Sequence, residues 1–130
     1  MPGECNLEVL LGAMAPALDP VEYVFCTADR IVGEPICAFR EDEGWTLVLR
    51  REEAERLRLE HTFPCRRITL RVHSSLEAVG LLAAVAEELA TAGISVNVAS
   101  GYYHDHLFVP VSRAEDALET LLRIARRNRQ

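Results

Sequence analysis

The densest run of chemistry-bearing side chains in the sequence is Tyr102-Tyr103-His104-Asp105-His106. Two histidines flanking an aspartate can make a His–Asp acid–base pair or supply metal ligands. On a strand His104 and His106 project to one face, and His73 and Glu77 are the residues able to complete a set. A structural zinc site needs four ligands and a catalytic one three, and neither a His-x-x-x-His pair nor a Cys-x-x-Cys pair is present. The cluster therefore reads as an aromatic and polar loop over the mouth of a ligand pocket, with no metal and no cofactor. Neither a nucleophile elbow nor a phosphate loop occurs, so a non-enzyme is expected. The alternative is a small metal-assisted or His-dependent hydrolase or lyase centred on His73, His104, Asp105 and His106.

Two other positions bear on binding. Ser74, three residues before Glu77, is a capping-box pattern, and the helix it opens presents free N–H groups to a carboxylate. Gly80 falls inside that expected helix, where glycine costs about 1 kcal/mol relative to alanine, so close approach to its backbone is expected. Cys5, Cys26, Cys37 and Cys65 are dispersed and read as reduced, mostly buried apolar residues.

The elements that must position these residues are clearest in the second half. Ile68, Leu70 and Val72 alternate with Arg67, Thr69, Arg71 and His73, as in a half-buried strand. Val79, Leu82, Val85 and Leu89 then recur at helical spacing, closed by Gly93. Ile94, Val96 and Val98 alternate with Ser95, Asn97 and Ala99 in a second strand, and residues 107–111 give a third after a turn at 101–105. Ser112 and Glu115 form another capping box, before a helix striped by Ala114, Ala117, Leu118, Leu121, Leu122 and Ala125. This order is a ferredoxin-like βαββαβ unit without its last strand.

In the first half, 7–14 reads as a short helix and 21–27 as a strand. Residues 35–40 and 45–49 read as a hairpin, 51–57 as a helix and 59–63 as one more strand. That order is the same unit with its first strand missing or displaced. Two incomplete halves imply a pair sharing strands, joined by a link at 61–65 too short for independent movement.

Twenty acidic against fourteen basic side chains give a formal charge of −6, which disfavours nucleic acid and anionic lipid as partners. The arginines near the C-terminus complement a helix dipole. Neither a leader peptide nor a run of roughly 20 apolar residues is visible, so no membrane association and a cytoplasmic location are expected.

The runs 74–82, 89–100 and 105–111 resemble an ACT domain. They are closest to the tandem ACT subgroup of CASTOR-type arginine sensors and bacterial ACT proteins. The resemblance covers about the last 65 residues well. The first half matches in outline, through residues 22–25 and the strand of Trp45.

It implies an α+β fold of two ferredoxin-like βαββαβ modules packed side by side, antiparallel sheets with helices on one face. Residues 1–63 form an incomplete, divergent N-terminal ACT-like module and 64–130 a C-terminal ACT domain. It also implies a non-catalytic regulatory or sensor protein, a homodimer or higher homo-oligomer, binding an amino acid at the seam between modules. The positions implied are His73, Ser74, Ser75, Leu76, Glu77 and Gly80, with Asn97, Val98, Ser100 and Gly101 from the second strand. Tyr102, His104, Asp105 and His106 of the covering loop complete the set. The usual Asp-x-Pro-Gly before the first helix is replaced by His73-Ser74-Ser75-Leu76, which leaves the usual ligand unassigned.

Overall fold

The computed structural model describes residues 3–129, so the expected outer limits at 1 and 130 lie outside the described residues. The strands are β1 (Pro16–Leu18), β2 (Tyr23–Ala28), β3 (Cys37–Glu41), β4 (Gly44–Arg50), β5 (His61–Leu70), β6 (Asn97–Ser100) and β7 (Asp105–Pro110). They form one antiparallel sheet ordered β3-β4-β2-β5-β7-β6, with β1 also paired to β5. Among the described residues the α-helices are α1 (Leu7–Gly12), α2 (Arg51–Arg56), α3 (Leu81–Thr91) and α4 (Ala114–Arg127).

Two ferredoxin-like units meet in β5. The first part of β5 pairs with β2, from Cys26↔His61 to Tyr23↔Cys65, and is the fourth strand of the unit β3-β4-β2-β5. The later part pairs with β7, from Cys65↔Pro110 to Leu70↔Asp105, and is the first strand of the unit β5-α3-β6-β7-α4. That second unit obtains its fourth strand from the far end of the chain: β1 lies along β5 with Leu18 facing Ile68 and Pro16 facing Leu70. The expected sharing of strands is thus realised twice.

Period-two patterning sorts the side chains onto two faces. On one, α1, α3 and α4 pack Leu10, Met14, Val85, Leu89 and Leu121 against Ile68, Leu70, Leu107 and Val109. Beside them, Ala54 of α2 covers Val24, Cys26, Leu47 and Leu49. The helix-free face has its own cluster of Tyr23, Val48, Cys65 and Phe108, with Phe25 and Phe63 against it. Phe25 meets Phe108 and Phe63 edge-on, at centroid distances of 5.5 and 5.8 Å. In α4 the stripe Ala114, Ala117, Leu121, Ile124 and Ala125 is buried, while Glu115, Asp116, Arg126 and Arg127 complement its dipole.

Several expectations require correction. The segments expected as two strands, at 59–63 and from Arg66, are one strand, which passes through Phe63 at φ 61° with a register shift opposite it in β2. The first unit lacks a helix rather than a strand: 29–36 crosses from β2 to β3 with no helical element, and α1 packs in the other unit. The second strand of the second half starts at Asn97, leaving Ile94, Ser95 and Val96 outside it. Ser112 caps nothing, because it lies in a 3-10 turn at Val111–Arg113, and Arg113 instead bonds Asp116 at 3.0 Å. Among the described residues no helix is long and apolar enough to cross a membrane.

Candidate functional site

After Leu70 the chain leaves the sheet, and the helix expected from Ser74 begins only at Leu81. The capping box does not form, because each member has a different partner. Ser74 Oγ donates to Asp105 Oδ2 at 3.0 Å, with the two residues only 8% and 6% exposed. The Glu77 amide donates to Ser75 Oγ at 3.1 Å, closing a local turn. Gly80 is not mid-helical either. It occupies the N-cap at φ 100°, a conformation that a side chain strongly disfavours, and Leu7 Cδ2 lies 3.3 Å from where a Cβ would stand.

The start of α3 therefore has no side-chain cap. The amides of Leu81, Leu82 and Ala83 have no acceptor within the helix, and they carry the positive end of its dipole. The three residues line a cavity of about 160 Å³ whose other walls are the 74–78 loop, Ser100 and Asp105. Across the loop a second hollow of about 210 Å³ lies between Gly3, His73, Glu77 and Tyr102.

The N-terminal arm holds this loop in place. Glu4 pairs in parallel with Ser74: its amide donates to His73 O and its carbonyl accepts from the Ser75 amide, both at 2.9 Å. Only glycine fits at position 3, since a Cβ there would stand 2.5 Å from His73 O.

The structure thus gathers Ser74, Ser75, Leu76, Gly80, Ser100 and Asp105 around the first cavity. His73, Glu77 and Tyr102 line the second, with the His73 ring 5.5 Å from that of Tyr103. The remaining expected residues lie outside both. Asn97 faces Phe108 and Val98 faces Leu107 on the exposed edge strand β6. Gly101 turns the chain, its amide donating to His104 O at 2.9 Å.

His104, Asp105 and His106 are not brought together. Successive strand residues point to opposite faces, so Asp105 faces the helices and His106 the open face, where its Nδ1 lies 3.0 Å from Thr69 Oγ1. His104 precedes the strand, its Nδ1 shut in without a partner among the described residues. Among the described residues no group of three or more His, Cys, Asp or Glu is placed to hold a metal ion. The hydrolase or lyase alternative consequently lacks its constellation.

Cys26 and Cys65 are buried, Cys37 is half-buried and Cys5 is exposed. Burial, with a smaller contribution from Glu22, pushes the Cys65 thiol up to about 12, which makes it inert. Sequence reasoning did not assign Ala78, Leu81, Leu82 or Ala83 to the site. Their apolar character marks them equally as core, and nothing local distinguishes the two roles.

Burial, together with Arg67, His104 and Arg71, holds His106 below the usual histidine range, against the opposing pull of Asp105. Below the ordinary value of 6.5 the unfolded chain then binds more protons at this residue than the folded one, so stability falls with pH from there down to the depressed folded value. Urea midpoints measured from pH 7.5 to 5 should decline, and more shallowly in His106→Gln. An identical decline in the variant would refute the assignment.

Two ferredoxin-like units fused through one strand, with a solvent-reaching cavity where a strand, a loop and an uncapped helix meet, have the organisation of a tandem regulatory module. The chain belongs to the ACT-domain family: two ACT domain profiles match it, over residues 2–66 and 62–123, overlapping within β5. It is similar to a crystal structure of a protein of unknown function from Vibrio cholerae, described as a possible transport protein. That similarity has 50% identity over 92% of this chain and 95% of that one, with a TM-score of 0.83.

It shares its fold with the aspartokinase alpha and beta subunits, at 11% identity, 84% and 95% coverage and a TM-score of 0.68. The regulatory subunit of aspartate kinase from Thermus flavus is likewise similar, at 11% identity, 87% and 98% coverage and a TM-score of 0.60. No curated protein matches the chain. Family membership supports a regulatory, ligand-binding role.

Proposed function

We propose that this protein is a non-catalytic cytoplasmic sensor that binds an amino acid in the cavity between the 74–80 loop, the start of α3 and the β6–β7 turn. The observation that carries this reading is the uncapped N-terminus of α3 bordering a ligand-sized cavity. Free amides and the helix dipole there suit a carboxylate. The two functional units divide near 63/64 within β5, with α1 and β1 crossing over to complete the second. The free edge of β6, bearing Asn97 and exposed Val98, is the seam where a second copy pairs and closes the site, giving a homodimer or higher homo-oligomer. Ligand occupancy is then passed to another protein.

A melting-temperature screen of the twenty amino acids tests the reading. A ligand binding only the folded state contributes about 2.7 kcal/mol at a hundredfold excess over Kd, a visible shift. If no amino acid or small carboxylate at millimolar concentration raises the midpoint, the cavity is structural and the proposal fails.

A further inference from the structure

The walls of the first cavity narrow the ligand class, on the basis of the amino-acid reading above. We infer that the cavity selects a free α-amino acid with a small, uncharged side chain, and that Asp105 holds its ammonium group. Asp105 is 6% exposed and lines the cavity. Among the described residues its side chain receives a single hydrogen bond, from Ser74, and no ion pair. A carboxylate group has about four acceptor positions, so one hydrogen bond leaves most of the capacity of Asp105 open to a donor in the cavity. Leu81, Leu82 and Ala83, at the uncapped start of α3, line the same cavity, so it offers one group for each charge of a zwitterion.

The rest of the lining limits the side chain. Neither lysine, arginine nor histidine contributes to it, so an acidic side chain finds no counter-ion. Asp105 is also the one carboxylate there, so with the ammonium bound nothing remains for a basic side chain. Leu76, Ala78, Leu81 and Leu82 supply apolar walls, and Ser75 and Ser100 can accommodate a hydroxyl. At about 160 Å³ the space lies well below the roughly 300–1,000 Å³ of pockets for drug-sized ligands, which favours a small side chain over a large aromatic one.

Calorimetric titration of the full chain with glycine, alanine, serine and threonine, against phenylalanine, lysine, arginine, aspartate and glutamate, tests this directly. N-acetylalanine, which keeps the carboxylate and lacks the ammonium, is the control for Asp105. The small neutral amino acids should bind, the others should not, and N-acetylalanine should bind roughly ten- to a hundredfold more weakly than alanine. Asp105→Asn should lose affinity to a similar degree with an unchanged circular dichroism spectrum. If that variant fails to fold, Ala78→Val serves instead, retaining Asp105 and narrowing the cavity so that threonine is lost before glycine.

Equal binding of lysine or aspartate overturns the side-chain class and leaves the amino-acid reading standing. Equal binding of N-acetylalanine overturns the role of Asp105. Absence of binding by every amino acid overturns both the inference and the reading beneath it.

Discussion

A fragment of residues 61–130 should not fold by itself, although it spans an entire family match at 62–123. It lacks α1 and β1, which lie in sequence before the other unit but in space complete this one. Leu10 and Met14 are fully buried and Leu11 nearly so. At about 1.5–3 kcal/mol per buried side chain these three contribute roughly 5–9 kcal/mol, comparable with the ~5–15 kcal/mol that stabilises a whole domain. Loss of β1 also bares the edge of β5 along Ile68–Leu70. Appending residues 3–18 through a flexible linker after 129 restores an unbroken unit and should restore a cooperative urea transition, read by far-UV circular dichroism. A cooperative transition in the bare fragment would show α1 and β1 to be dispensable.

Phe108→Ala should destabilise the full chain by about 3–5 kcal/mol, the range for truncating a buried phenylalanine. Phe108 is 2% exposed on the helix-free face, and its ring meets Phe25 across β5, so it joins strands of both units. A double-mutant cycle with Phe25→Ala should give a coupling of about 0.5–1.5 kcal/mol, as edge-on aromatic pairs do. Phe39→Ala is the contrast: it lies on the same face but is 69% exposed, and should change stability by no more than about 0.5 kcal/mol. A loss below about 1 kcal/mol for Phe108→Ala would remove this face as the tie between the units.

What the sequence discloses here depends on how far apart the deciding partners stand. The α4 stripe and the alternation from Ile68 to Leu70 were legible because one face of one element sets them. Ser74 misled for the opposite reason. Its spacing to Glu77 is a local signal, but its hydroxyl is taken by Asp105, thirty-one positions away, and the left-handed Gly80 separates the pair from the helix. Val79, which reads as the start of the apolar stripe, is an exposed loop residue. β1 has only three residues, too few to show a period, and its partner strand lies far along the chain.

Ser74, Gly80 and Asp105, which line one cavity, were singled out in the sequence by a capping-box spacing, an unexpected glycine and a His-Asp-His run, as well as by the family pattern. The arm at Gly3–Glu4 was not, since its pairing with His73–Ser75 leaves no periodic trace.

The common strand has a consequence for amide hydrogen exchange. From Cys65 to Leu70, β5 is flanked by β7 on one side, and at its two ends by β2 and β1 on the other. Its amides can reach water only when a neighbouring strand on either side detaches, and each neighbour belongs to a core that depends on β5 itself. The slowest-exchanging amides should therefore cluster in this strand and exchange at the rate of global unfolding, while the β3 and β6 edges exchange through local openings. Protection in the two units should then vanish together along a denaturant series, as one cooperative block.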